Sequence, residues 1–242
     1  MHLFASDLHL SPRSPGATAL FLDFLAGPVR QAEALYILGD LFEVWVGDDV
    51  ADAWHRNIIA ALRQTSDAGV RLYVMHGNRD FALGEAFAAA AGVQLIPDPF
   101  DLHLPAWSFV LAHGDALCLS DPAYLTYRAK VRDPAWLARM LQKPRWLRTL
   151  LGRYIRWRSS RNKRGGQTYA DLSPDATDDF LRTHGYATFI HGHTHQAATH
   201  DHIVDGIHVE RWVLGDWHED RGDYLRWDGE RLQRLSITAA AV

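Results

Sequence analysis

The chain has 242 residues, 48% of them hydrophobic, and a formal net charge of -4. That is enough apolar mass for one large buried core, and it excludes a disordered or fibrous chain. No stretch approaches the length of a membrane span, the first residues carry no signal-peptide pattern, and the single cysteine, Cys118, excludes a disulfide framework and a thiolate-rich zinc site. A protein of a reducing compartment is expected, with Cys118 serving as core packing.

In chain order, the predicted strands begin with Leu3 to Ser6, a short apolar run feeding directly into polar residues. A helical pattern from Thr18 to Leu25 follows, then a strand at Ala34 to Leu38. A second helix is predicted over Ala51 to Ala68, with Ile58, Ile59 and Leu62 on one face and Gly69 as its stop. Further strands are expected at Arg71 to Met75, Ser108 to Ala112 and Thr188 to Ile190. After Val209 only strands are expected: Val209 to Leu214, Tyr224 to Trp227 and Leu232 to Ile237, the last two joined by the turn Asp228-Gly229. Alternating elements followed by a run of strands predict an α/β fold of two facing mixed sheets flanked by helices.

Residues 121–166 read as a helical insert within a single domain spanning 1–242. Asp121-Pro122 and Asp133-Pro134 each place an N-cap before a proline at the first helical position, and Pro144 can open a third helix. In that helix Leu147, Leu150, Leu151, Tyr154 and Ile155 share one face, while Arg145, Arg148, Arg153, Arg156 and Arg158 fill much of the rest. Between Arg128 and Arg164 there are thirteen Lys or Arg against one acid, Asp133, so this segment carries +12 and the remainder -16. A solvated helical face normally mixes both signs. Arginines of this density also suit phosphates of a nucleic acid, or an anionic lipid surface met by a basic amphipathic helix.

Five apolar runs end in oxygen or nitrogen donors: Asp7-Leu8-His9, Gly39-Asp40, Gly77-Asn78-Arg79-Asp80, His113-Gly114-Asp115 and His191-Gly192-His193-Thr194-His195. Fourteen histidines make one short cluster unremarkable, but five ordered clusters at strand ends are not a coincidence of composition. The candidate ligands are Asp7, His9, Asp40, Asn78, His113, His193 and His195, hard or borderline donors that suit manganese, iron or zinc. Seven are too many for one tetrahedral ion and suit two ions sharing a carboxylate, with Asp40 as the bridge. Two such ions about 3.5 to 4 Å apart would activate water for attack at phosphorus.

These blocks, D-x-H, GD, GN-R-D, HGD and GHTH, resemble the calcineurin-like metallophosphoesterase superfamily, over about four-fifths of the chain from Asp7 to His195. The resemblance implies one metal held by Asp7, His9, Asp40 and His195 and another by Asp40, Asn78, His113 and His193. His191 then stands outside the ligand set, and His76, His200, His202 and His218 have no assigned role. Many members of the superfamily have histidine where this chain has Arg79. Arginine cannot give up a proton near neutrality, but it can hold phosphoryl oxygens, which suits a leaving group that needs no proton. A phosphate, with a second pKa of about 6, is such a group, so the chemistry points to a pyrophosphate bond.

The motifs, together with Asp121, Tyr124 and Arg128-Ala129-Lys130-Val131-Arg132, more closely resemble the UDP-2,3-diacylglucosamine diphosphatases of bacterial lipid A synthesis. That resemblance implies a helical lid, manganese dependence, and hydrolysis to UMP and 2,3-diacylglucosamine 1-phosphate. It also implies peripheral attachment to the cytoplasmic face of the inner membrane. Asp40, Asn78 and Arg79 are the expected catalytic residues. Asn78, Arg79, Asp121, Ser159, Asn162, Lys163, Arg164 and His193 are the expected substrate contacts, although the family's serine-to-lysine spacing is not reproduced around Ser159. A monomer with no nucleic-acid partner is expected. The competing readings are another dinuclear-metal phosphodiesterase acting on nucleotides or nucleic acid, and a scaffold that binds without catalysis.

Overall fold

The computed structural model describes residues 1–105, 107–164 and 171–239, with 156–164 described by their backbone alone. In chain order the strands are β1 (His2–Ala5), β2 (Ala34–Leu38), β3 (Arg71–Met75), β4 (Gln94–Ile96), β5 (Phe100–Leu104) and β6 (Trp107–Ala112). They continue with β7 (Thr188–His191), β8 (Ala198–Val204), β9 (Ile207–Val213), β10 (Arg221–Trp227) and β11 (Leu232–Thr238). The helices are α1 (Pro15–Ala26), α2 (Ala53–Asp67), α3 (Glu85–Ala91), α4 (Pro122–Val131), α5 (Pro134–Leu141), α6 (Arg145–Arg164) and α7 (Pro174–Thr183).

One sheet has the order β11-β10-β1-β2-β3-β4 and the other β5-β6-β7-β9-β8. In the first, β1 to β4 run parallel while β10 and β11 are antiparallel; in the second, β6, β7 and β9 run parallel. The inner faces meet in a core of Phe4, Tyr36, Leu38, Met75, Phe109, Leu111, Ile190, Leu225 and Trp227. On the outer face of the first sheet, Leu20, Phe21 and Phe24 of α1 and Ile58 and Leu62 of α2 pack against Leu3, Leu35 and Leu72. Leu181 of α7 covers Val110 and Phe189 of the second sheet. The central strands β1 and β2 are therefore buried on both faces, which is why they read as unbroken apolar runs.

The predicted β2 and β3 coincide with the observed strands, and the Asp228-Gly229 turn joins β10 to β11. Not foreseen were β4, β5, β8, α3 and α7. Among the described residues strand β8 pairs only with β9, and its Ala198 to Val204 offers almost no apolar side chain to an inner face, so sheet hydrogen bonding and not hydrophobic patterning makes it a strand. Cys118 is buried among apolar neighbours, and burial pushes its thiol up to about 12.

Helices α4 to α6 lie between β6 and α7. Asp121 accepts a hydrogen bond from Tyr124 N at 2.9 Å and Asp133 one from Ala135 N at 2.8 Å, so both expected N-caps form. The expected division of α6 holds in part: Leu151, Tyr154 and Ile155 line a cavity beneath the helix, but the arginine face and the apolar face are not cleanly separated. Arg148 is 3% exposed, while Leu150 and Tyr154 on the expected apolar face are 59% and 53% exposed. The reason lies in the guanidinium: Arg148 donates to both carboxylate oxygens of Asp49 and to the carbonyls of Val46 and Lys143. Satisfying those donors turns Arg148 inward and rolls part of the apolar stripe into solvent.

Candidate metal centre

All five donor blocks lie where parallel strands end, on the same edge of the two facing sheets. Asp7 and His9 follow β1, Asp40 follows β2, Asn78 and Arg79 follow β3, His113 follows β6, and His193 and His195 follow β7. The loops are locked by main-chain bonds: Asp7 N donates to Gly39 O at 3.1 Å and His9 N to Asp40 O at 2.9 Å. Seven non-glycine residues among those described have positive φ, and five of them are Asp7, His9, Asp40, His193 and His195. Left-handed backbone costs such residues about 1–3 kcal/mol each, so its concentration here marks a site that tertiary contacts force into shape. Two glycines permit the close approach. A Cβ on Gly77 would overlap the Asp40 carboxylate, and one on Gly192 would overlap Ser6 and Asp7.

Two donor groups result, Asp7 with His9 and His195, and Asp7 with Asp40 and His113. His195 Nε2 lies 3.3 Å from Asp7 Oδ1 and 3.3 Å from His9 Nε2. Asp40 faces both groups, with Oδ2 3.8 Å from His9 Nε2 and Oδ1 3.9 Å from His113 Nε2. Asn78 Oδ1 stands 3.0 Å from His113 Nε2 and 3.0 Å from His193 Nδ1. The structure thus brings together all seven residues singled out as candidate ligands.

Contacts behind the donors set their orientation. His113 Nδ1 donates to Leu38 O at 2.9 Å, leaving the Nε2 lone pair directed at Asn78 and Asp40. His195 Nδ1 bonds Asp216 Oδ2 at 2.9 Å, and His9 Nδ1 lies 3.4 Å from Glu43 Oε2. Asp7 Oδ2 accepts from His193 N and Asp40 Oδ1 from Arg79 N, both at 2.8 Å. Neither Asp216 nor Glu43 was singled out in the sequence as a supporting group. Glu43 stands three residues beyond Asp40, but Asp216 comes from a loop with no motif of its own.

Burial shapes the charges. It raises the Asp40 carboxyl well above the ordinary range, with His113 opposing and Asp80 and Asp7 reinforcing the rise. Asp7 is equally buried, yet His195, His113 and His9 around it hold its carboxyl low. Burial and the neighbouring His113 push His193 down to about 3. His195 goes the other way: burial is outweighed by Asp216 and Asp7, which raise it to about 10. Buried carboxylates and imidazole nitrogens lying within 4.8 Å of one another, with outer nitrogens already bonded, form a donor set that fits divalent cations.

Elsewhere the expectations divide. His191 is buried behind the donors, with Nδ1 2.8 Å from Gly192 O and Nε2 3.2 Å from Arg211, which is paired in turn with Asp171. His76 bonds Leu83 O, His202 pairs with Asp178, and His218 lies 3.3 Å from Asp216. Asp121 both caps α4 and lines a cavity of 390 Å³ beneath α6, which also takes in Asn78 and Arg79. Ser159, Asn162, Lys163 and Arg164 fall on the last turns of α6, where their side chains lie outside the described residues.

Converging acid, amide and imidazole donors at the strand ends of two packed sheets define a metal-dependent phosphoesterase. The chain belongs to the calcineurin-like phosphoesterase family, whose model matches residues 3–197. It is 45% identical over 234 residues to the UDP-2,3-diacylglucosamine hydrolase of Chromohalobacter salexigens, covering 96% of this chain and 95% of that one. It is also 45% identical over 228 residues to the enzyme of the same name from Aromatoleum aromaticum, with 94% and 93% covered. For the Pseudomonas paraeruginosa protein of that name the identity is 47% over 216 residues, with 89% and 90% covered.

Proposed function

We infer that the protein hydrolyses the pyrophosphate bond of UDP-2,3-diacylglucosamine, releasing UMP and 2,3-diacylglucosamine 1-phosphate. The observation that carries this reading is the continuity of the donor cluster with the cavity beneath α6. Val44, Val46, Trp136, Met140, Leu151 and Ile155 give that cavity apolar walls, and Asn78 and Arg79 also line it. A substrate with a phosphoryl group at the donors and acyl chains in the cavity matches both halves, and the similarity to hydrolases of that name supports the same choice. In this reading residues 121–166, of which 165–166 lie outside the described residues, are a lid over the acyl chains.

Two divalent ions, manganese by preference, would be held by Asp7, His9, Asp40 and His195 and by Asp40, Asn78, His113 and His193. Asp40, with one oxygen toward each group, would be the shared ligand. When bound, such ions supply a water acidified for attack on phosphorus and neutralise phosphoryl charge. The chain's own residues do the rest. Arg79, its backbone N–H tied to Asp40, offers a guanidinium to the phosphoryl oxygens. Neither Arg79 nor any expected catalytic residue has to protonate the departing group, because a phosphate monoester leaves as an anion near neutral pH. Asn78 and His193 border the phosphoryl position, and Asp121, Ser159, Asn162, Lys163 and Arg164 would contact the sugar and its phosphate.

No helix of the described residues is long and apolar enough to cross a membrane. Trp146 and Leu150 are exposed on the strongly basic α6, which supports docking on an anionic membrane surface at the cytoplasmic face of the inner membrane. The test is UMP release from UDP-2,3-diacylglucosamine by manganese-loaded protein, beside UDP-N-acetylglucosamine and an aryl phosphate diester. A strong preference for the acylated substrate is expected. Equal turnover of the diester would move the protein to a different phosphoesterase activity.

A further inference from the structure

We propose that a second, polar cavity, which meets the one beneath α6 at Glu43 and Arg79, binds the nucleoside half of the substrate. This rests on the pyrophosphate reading above and adds the site for its second half. The cavity measures 550 Å³ and is lined by Ser11, Arg13 and Ser14 from the segment between β1 and α1, and by His218 and Glu219 from the loop before β10. It reaches the donors directly, since His9 and His195 form part of its wall. Glu43 and Arg79 line both this cavity and the one beneath α6, which takes in Asn78, so both cavities reach the donor cluster.

A lipid joined to a nucleoside by a diphosphate has that same division. Its apolar end fits the cavity beneath α6, its diphosphate the donors, and what remains is a ribose and a uracil ring bearing hydroxyls, carbonyls and one imide N–H. Those groups need hydrogen-bond donors and acceptors, not apolar surface. The second cavity supplies them. Ser11 and Ser14 present hydroxyls bonded to each other at 2.8 Å, and Arg13 is exposed beside them. Glu219 Oε2 accepts from Gly16 N at 2.6 Å, and its other carboxylate oxygen can accept from a sugar hydroxyl. The same bond makes the wall firm, because it ties the start of α1 to a segment more than two hundred residues away; a Cβ on Gly16 would overlap Glu219. The pocket is therefore built before any ligand arrives, which lowers the ordering cost of binding.

The experiment measures UMP, inorganic phosphate and 2,3-diacylglucosamine 1-phosphate binding to manganese-loaded wild type, Arg13→Glu and Ser11→Ala, with hydrolysis followed in the same samples. Both substitutions are at the protein surface, outside the core. Arg13→Glu is expected to weaken UMP by about tenfold or more and Ser11→Ala by several-fold, with a matching rise in KM. The lipid product is expected to keep its affinity. If UMP binds all three proteins equally, or if UMP and inorganic phosphate weaken by the same factor, the nucleoside pocket is wrong. Absence of turnover in wild type, with UMP binding still dependent on Arg13, would instead overturn the acylated-substrate reading and leave the pocket standing.

Discussion

His195 Nδ1 and Asp216 Oδ2 are 2.9 Å apart, so a carboxylate from the loop before β10 fixes the ring whose other nitrogen faces Asp7. Fixing the tautomer and rotation of a ligating histidine is worth roughly 10–100-fold in metal affinity. Asp216→Ala is expected to weaken manganese binding by that factor while leaving the fold intact, since Asp216 is partly exposed. Calorimetric titration of metal-free protein checks it. Unchanged affinity would mean that Asp7 and His9 alone hold the ring.

The same pair sets a pH dependence. Without metal, Asp216 and Asp7 hold His195 protonated up to about 10, whereas an ion needs the neutral imidazole. Metal binding must then release a proton, and affinity must rise with pH through the neutral range and fall toward acid. Titrations in two buffers of different ionisation enthalpy, at about pH 6 and about pH 8, measure both effects. Proton-free binding with flat affinity would contradict the assignment.

Asp40→Ala is expected to lower turnover by roughly a hundredfold or more, because it removes the carboxylate that faces both donor groups. Metal-free Asp40→Ala is expected to be at least as heat-stable as wild type. Burial and the nearby Asp80 and Asp7 disfavour charge at that position, so its loss relieves the metal-free fold. Near-normal activity in metal-replete buffer would remove Asp40 from the mechanism.

Arg148 anchors α6 to Asp49 and to the carbonyl of Val46. Arg148→Ala is expected to cost about 1.5–3 kcal/mol, the range for hydrogen bonds to charged groups, and to speed amide exchange in α6 before the sheets are affected. Asp49→Asn should cost less, since Asp49 is half-exposed. Chemical denaturation and hydrogen exchange measure the two effects; equal protection of α6 in wild type and Arg148→Ala would show the anchor to be dispensable.

Leu151 lines the cavity beneath α6, whereas Leu150 is 59% exposed and lines neither cavity. Leu151→Asp is therefore expected to raise KM for the diacylated substrate about tenfold, placing a charge against the acyl chains. Leu150→Asp is expected to leave KM in detergent unchanged and to weaken binding to anionic vesicles. Equal effects of the two on KM would place both residues against the lipid.

Much of this was legible before the fold was known. Strands β2 and β3 are buried on both faces or nearly so, and the seven candidate donors stand at strand ends in five short blocks, so local patterning was enough to find them. Strand β8 and helix α3 escaped because they gain their structure from partners: one from pairing with β9, the other from packing against α2. Other features were decided only in three dimensions. In sequence Arg148 is one of the arginines on the basic face of α6, and only the fold brings it Asp49 and Val46, about a hundred residues away, to satisfy it. Asp216 belongs to no motif and matters only because β9 delivers its loop to His195. Periodicity records which face of an element is apolar, but whether a polar group is buried depends on the partners that long-range packing brings to it.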